Sequence, residues 1–358
     1  MKKFFVTLLL LLLPLPTASA ASNQIILTDK PFRQYNGKFL ENKLEEDLSP
    51  AGRLGVKVFT TVNRPRVWVI DSALIEDITE YQKAQDSIVA LSWLNQLKRQ
   101  TVRDSVFATA YGNPDVSLAK RLAPAELKFY YTYGQGLLSQ QLGRSVYSSE
   151  IGSWNLGRAN LTNSNYHDYQ SARRELSNLT TVIPALEIES DRAKLAKMLT
   201  LGLNRKERDL LVGDFAIGNQ QIVNRLRVVG GKYRLTTDKE KLPITLVNDF
   251  ESPVTVKLVF EPLNARIKFP KYEAVELQPK SRVQIPVPVT NIAAGDTTVI
   301  AKFVNERNLQ VGGQSQLTIT SQVISPLVAW FTTGAAIFLL LAAVVQSVRR
   351  VRRSRSEK

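Results

Sequence analysis

The chain has 358 residues, no cysteine, one histidine and a formal net charge of +15. Without cysteine it has no thiol nucleophile, disulfide or thiolate metal site. With only His167 it lacks the histidine pair of zinc metalloproteases and polysaccharide deacetylases, so no metal and no cofactor is expected. The basic balance comes without a recognition motif, which argues against nucleic acid and suits anionic wall polymers or lipid headgroups.

Met1-Lys2-Lys3 is positive, Phe4 to Leu13 is apolar, Pro14 and Pro16 break that run, and Ala18-Ser19-Ala20 has the form of a cleavage signal. Residues 1–20 are therefore expected to be a secretory signal peptide, whose apolar run is too short to span a bilayer. No cysteine follows it, so no lipoprotein anchor is expected. Residues 21–54 are polar and weakly periodic and read as an extended lead-in.

Residues 55–221 alternate short apolar runs with helical stretches. Val67-Trp68-Val69-Ile70 is a β-type run, Asp71-Ser72 caps a helix, and Leu74, Ile75 and Ile78 form its apolar face. A second helix places Ile88, Leu91, Leu94 and Leu97 at spacings of three. Val106 to Ala110 reads as the next strand, Asn113-Pro114-Asp115 as a turn, and Val116–Leu122 and Pro124–Leu142 as helices. Ser145-Val146-Tyr147 and Thr181-Val182-Ile183 read as third and fourth strands, and Asp191 to Leu201 as a closing amphipathic helix. Alternating strands and helices predict parallel strands covered by helices. The length is too small for a complete eight-fold barrel, so the expected α/β domain is a reduced barrel or an open parallel sheet of four to six strands.

Residues 222–322 change pattern. Arg225 to Val229 and Lys232 to Thr236 flank Gly230-Gly231, a hairpin signal. Runs follow at Pro243–Val247, Pro253–Phe260, Ala265–Phe269, Arg282–Val289, Thr297–Val304 and Gln316–Thr320, several alternating apolar with polar. They predict an immunoglobulin-like β-sandwich. Residues 326–348 carry no charged side chain and are long enough for one transmembrane helix. The basic tail 349–358, with Arg349, Arg350, Arg352, Arg353 and Arg355, marks the cytoplasmic side. The expected topology is a single-pass plasma-membrane protein with its N-terminus outside and its C-terminus cytoplasmic.

The order of these features resembles an uncharacterised family of exported, single-span membrane-anchored proteins of actinomycete-type bacteria, often encoded beside the lipid II flippase. The resemblance runs from about Leu54 to the end. It rests on Val69-Ile70-Asp71-Ser72-Ala73-Leu74, Trp93-Leu94-Asn95-Gln96-Leu97, Ala110-Tyr111-Gly112-Asn113-Pro114-Asp115, Leu242-Pro243-Ile244-Thr245-Leu246-Val247-Asn248, and the span with its arginine tail. Ser72 and Ala110 stand where the family usually has proline, and Asn113 where aspartate is usual. The resemblance implies a cell-envelope role and supplies no reaction.

Among the residues, the carboxylate pair Asp71 and Asp115 is the catalytic candidate. Each follows a predicted parallel strand, at the carboxyl end where α/β folds place ligands, and two such groups can share acid and base work on a glycan. Tyr111 and Trp154 are the candidate glycan-stacking residues, and Glu150 is a more remote third carboxylate. The plain alternative is that both aspartates are helix N-caps. His167, in Asn165-Tyr166-His167-Asp168-Tyr169, reads as a surface histidine in a loop-like context. Gly134-Gln135-Gly136 lies inside a helical stretch, away from a phosphate-binding loop. The expected function is a non-enzymatic scaffold or glycan-binding partner in cell-wall or surface-polymer assembly, its partners being membrane lipid, wall glycan or envelope assembly proteins. The alternative is a glycan-active hydrolase using Asp71 and Asp115.

Overall fold

The computed structural model describes residues 23–40, 43–62, 64–151, 157–271, 274–321 and 326–355. The expected signal peptide at 1–20 and Trp154 lie outside them.

Four short strands form an open parallel sheet in sequential order: β1 (Gln24–Leu27), β2 (Val67–Ile70), β3 (Ser105–Ala108) and β4 (Tyr147–Ser148). Connections between them run through α1 (Leu44–Leu48) and α2 (Gly55–Phe59), then α3 (Ser72–Gln85) and α4 (Ile88–Thr101), then α5 (Val116–Leu122) and α6 (Pro124–Leu142). Right-handed crossovers between sequential parallel strands put such helices on one face of a sheet. Leu27, Trp68, Ile70, Val106 and Ala108 are buried there, in one cluster with Leu44, Leu74, Trp93 and Leu138. The opposite face carries the rows Ile26–Val69–Phe107–Tyr147 and Gln24–Val67–Ser105 in register.

Several expectations change. The lead-in 21–54 is part of the sheet: β1 pairs residue for residue with β2, so the polar stretch contributes an edge strand and a helix to the core. On α4 the buried face is Ala90, Trp93, Leu97 and Thr101, whereas Ile88 and Leu91 are exposed. A spacing of strictly three drifts around a helix of 3.6 residues per turn, and the 3-4 alternation wins. Thr181-Val182-Ile183 is no strand. Amides of Val182 and Ile183 donate to the Leu179 carbonyl and close the end of α7 (Asn163–Leu179), which also contains exposed His167. Asp191 to Leu201 is split between α8 (Glu189–Lys194), a 3-10 turn at Leu195–Leu199 and an extended bridge at Thr200. After it comes α9 (Arg205–Val223), which opens with a full capping box between Asn204 and Glu207.

Among the described residues, the second part is a β-sandwich of nine strands: β5 (Leu226–Val228), β6 (Gly231–Leu235), β7 (Lys239–Asn248), β8 (Val254–Pro262), β9 (Ile267–Lys268), β10 (Ala274–Leu277), β11 (Ser281–Asn291), β12 (Gly295–Val304) and β13 (Gln310–Ser321). One layer orders β5-β7-β11-β9 and the other β10-β8-β12-β13-β6, with β5 also touching β13 at Arg227↔Gly313. The expected hairpin at Gly230-Gly231 is absent. β5 pairs antiparallel with β7, and β6 pairs parallel with β13 over Gly231–Leu235. The glycine pair therefore lets one chain segment switch layers instead of folding back on itself. In the β7–β11 ladder Pro243 lies opposite Pro286, with Pro288 two residues further on. Proline has no N–H, so a continuous ladder requires these nitrogens to point away from the partner strand.

The two parts join without a polar gap. Asn178 Nδ2 donates to the Gln310 carbonyl at 3.0 Å, and Asn305 Nδ2 to Thr181 Oγ1 at 2.9 Å. Glu187 accepts from the Glu251 amide, and the Arg225 guanidinium lies 3.4 Å from the same carboxylate and over the Phe250 ring. Beyond the sandwich, α10 (Pro326–Arg355) is a single helix whose described side chains are Trp330 and those of residues 333–347, all exposed. Among the described residues, no helix is long and apolar enough to cross a membrane.

Candidate functional site

The carboxyl ends of β2 and β3 bring Asp71 and the loop 109–115 together. Asp71 is the N-cap of α3, extended at φ −85°, ψ 118°. Its Oδ1 accepts from the Ala73 amide at 3.0 Å and from the Gly112 amide, across the loop, at 2.9 Å. The side chain is buried, and desolvation pushes its pKa up to about 7 despite those amides and the nearby Lys197. Asp115 caps α5: Oδ1 accepts from Leu118 N at 2.9 Å and Oδ2 from Ala159 N at 2.8 Å. Asp115 thus accepts backbone amides at both oxygens and Asp71 at Oδ1, the arrangement of the N-cap alternative.

The loop can reach Asp71 because of its backbone. Gly112 (φ +75°) and Asn113 (φ +45°) are both left-handed, which turns the Gly112 amide inward. Opposite it, α6 approaches at Gly134, where a Cβ would lie 2.7 Å from the Thr109 carbonyl oxygen and 2.9 Å from the Tyr111 nitrogen. The Gly134-Gln135-Gly136 pair is accordingly divided: Gly134 allows helix and loop to touch, while Gly136 faces open space.

A segment remote in sequence closes the strand ends. The Asp115 amide donates to the Leu199 carbonyl, Leu201 N to the Asn113 carbonyl, and Thr200 Oγ1 to the Gly112 carbonyl at 2.6 Å. Arg208, fully buried on α9, holds this segment by donating to the carbonyls of Met198 (3.1 Å) and Thr200 (2.8 Å). Lys197 enters with it. Its Nζ lies 3.0 Å from Asp77 Oδ1, and the same carboxylate takes Arg33 Nε at 3.0 Å and the Phe32 amide at 3.0 Å. Arg33 extends the cluster to Glu76 at 3.3 Å. Two cations and two carboxylates therefore fill the place where an α/β domain leaves its ligand cleft.

Tyr111 belongs to this plug. It is 1% exposed, its hydroxyl donates to Glu76 Oε2 at 2.6 Å, its ring meets Tyr133 edge-on at 5.2 Å, and Lys197 Nζ lies 5.6 Å from the ring centre. It offers no open face for a sugar, which corrects the expected stacking role. Glu150 is exposed on a 3-10 turn, with its amide donating to Ser148 Oγ. Open grooves lie elsewhere. One of about 410 Å³ runs between α3, α4 and α6, and one of about 470 Å³ lies between the first turns of α7 and α9; neither aspartate lines them.

The sequence reading missed Arg33, Asp77, Lys197 and Arg208. Signals existed for two. Asp77 sits on the apolar face of α3 beside Ile78, and Lys197 is the one charge in Leu195-Ala196-Lys197-Met198-Leu199. A lone charge in an apolar run must find a partner or remain unfolded.

An α/β domain with its strand ends plugged, joined to a β-sandwich, is the class of protein these elements define. Residues 92–356 match the family of unknown function DUF6049, and the chain belongs to that family. No curated protein matches it. Among solved structures, part of the chain is similar to Escherichia coli alpha-2-macroglobulin from domain MG7 onward, at 16% identity over 27% of this chain and 16% of that one, TM-score 0.22. It is also similar to the E. coli chaperone DraB (10% identity, 27% and 55% covered, TM-score 0.21). A third is a CARDB domain from Pyrococcus furiosus (14% identity, 27% and 91% covered, TM-score 0.18). The chain spans about a sixth of the first of these.

Proposed function

We propose that the protein is a membrane-anchored extracytoplasmic scaffold of the cell envelope, acting without catalysis in the assembly of wall or surface polymers. The observation that carries this reading is the fate of Asp71 Oδ1 and both Asp115 oxygens, which accept from backbone amides beneath a plug formed by Lys197 and Thr200. The anchor is argued from the uncharged sequence of residues 326–348, the backbone helix Pro326–Arg355 and the arginines that follow Val348. The sequence resemblance to exported proteins of actinomycete-type bacteria, often encoded beside a lipid II flippase, supports envelope assembly proteins as the partners we favour. The hydrolase alternative draws on the raised pKa of Asp71, a property suited to a general acid.

Asp71→Asn and Asp115→Asn keep an oxygen acceptor at each cap and remove the carboxylate. A strain carrying the doubly substituted, folded protein is expected to grow and build its wall as the parent does. A null phenotype from that strain would transfer the site to the hydrolase reading. The anchor is tested separately by a reporter fused after Lys358: activity only outside the cell would overturn the topology.

A further inference from the structure

The pole of the sandwich from which the chain leaves toward α10 carries exposed apolar and cationic side chains together. Ser321 closes β13, paired with Gly295 on one side and Leu235 on the other. The loops around it lock together. Leu263 N donates to the Thr298 carbonyl, Ile292 N and Ala293 N to the Arg266 carbonyl, and Asn291 N to the Asp238 carbonyl. Arg266 Nη1 donates to the Asp296 carbonyl at 3.0 Å, and Thr297 Oγ1 to Asn264 Oδ1 at 2.9 Å. On this rigid frame Leu263 and Ile292 stand 66% and 61% exposed. Arg234, Lys239, Arg266 and Lys268 are exposed around them, against Asp238 and Asp296.

Position identifies what these side chains meet. Pro326 follows Ser321 by five residues, which span at most about 18 Å when fully extended. A bilayer holding α10 therefore lies within that distance of the pole. We propose that this pole is a second membrane contact. Leu263 and Ile292 enter the interface of an anionic lipid surface, and the four cations face its headgroups. The inference rests on the membrane-anchor reading. It adds that the sandwich lies against the bilayer and does not stand clear of it.

The natural absence of cysteine makes the test direct. Single cysteines at Leu263, Ile292, Ile88 and Leu340 are labelled with an environment-sensitive fluorophore in the full chain. The chain is then reconstituted in vesicles of phosphatidylcholine with phosphatidylglycerol, with or without a lipid carrying a quencher below the headgroup. Quenching at positions 263 and 292 is expected to exceed that at position 88, exposed on α4, by about twofold or more. The charge reversal R266E/K268E is expected to lower it by about half, an effect absent on pure phosphatidylcholine. Quenching at 340 but not at 263 and 292 would overturn the proposal and leave the anchor standing; no quenching at 340 would remove both. Emission changes at 263 that follow protein concentration and ignore the lipid quencher would assign the pole to a second copy of the chain and overturn the lipid contact.

Discussion

Lys197 Nζ lies 3.0 Å from Asp77 Oδ1, joining residues 120 apart in sequence, with both side chains buried. Removing one partner of a buried pair leaves the other charge without compensation, at a cost of about 3–5 kcal/mol. Arg33 and the Phe32 amide still serve Asp77, so Lys197→Met is expected to cost about 2–3 kcal/mol. Urea unfolding of K197M, D77L and the double variant checks this. The double should recover part of the loss, and strict additivity would show that the two side chains do not act as a pair.

The buried Asp71 carboxyl gives a pH dependence of definite sign. Its folded pKa, about 7, lies above the ordinary aspartate value of 3.8. The folded state therefore holds the proton more tightly than the unfolded chain. The stabilisation is fully present below about pH 4 and is lost as pH rises through 7, at up to about 1.4 kcal/mol per pH unit. Asp71→Asn should flatten this part of the curve. The quantity to measure is the difference between wild type and D71N across pH 4–8, because other carboxylates contribute to both. Wild-type stability minus that of D71N should fall as pH rises from 4 to 8, and a difference that grows with pH would contradict the assignment.

Gly134 and Gly136 separate close packing from simple helix propensity. Gly134→Ala drives a methyl against the Thr109 carbonyl and the Tyr111 nitrogen and should cost about 2 kcal/mol or more. Gly136→Ala meets nothing within 4 Å in the same helix and should stabilise by about 0.5–1 kcal/mol. Thermal melts of the two variants decide it; equal effects would refute the close approach of α6.

Pro286 and Pro288 remove donors from the side of β11 that faces away from β7, where β9 pairs only at Thr290 and Asn291. That edge is otherwise a template for another strand. Pro286→Thr with Pro288→Thr should leave the monomer's stability near its original value and raise self-association, read by analytical ultracentrifugation. A variant that stays monomeric at high concentration would assign the prolines another role.

Local features were readable from residue types. Val67–Ile70, the caps at Asp71 and Asp115 and the alternation in β8 and β11 each follow from neighbours within a few positions. What escaped depends on distant partners. Gln24–Leu27 looks like a polar linker until β2 supplies the other side of its ladder. Gly230-Gly231 carries a hairpin signal, yet β6 selects β13, more than seventy positions on, over its neighbour β5. The plug is the same kind of case. Asp115 could be recognised as a cap, whereas the arrival of Lys197 and Thr200 at the strand ends is set by α9 and Arg208. Tyr111 reads as a glycan-stacking residue because nothing nearby announces the Glu76 carboxylate that takes its hydroxyl.

The layer switch at Gly230-Gly231 bears on how the protein carries load. β6 leads down from the α/β domain, β13 leads out toward α10, and the two lie parallel over Gly231–Leu235. Tension between a partner gripping the α/β domain and an anchored C-terminal helix would pull these strands past one another. Their hydrogen bonds would then be strained together, in shear, and not opened one after another as in a peeled hairpin. On the proposed anchor reading, the strand pair would therefore bear tension as a unit.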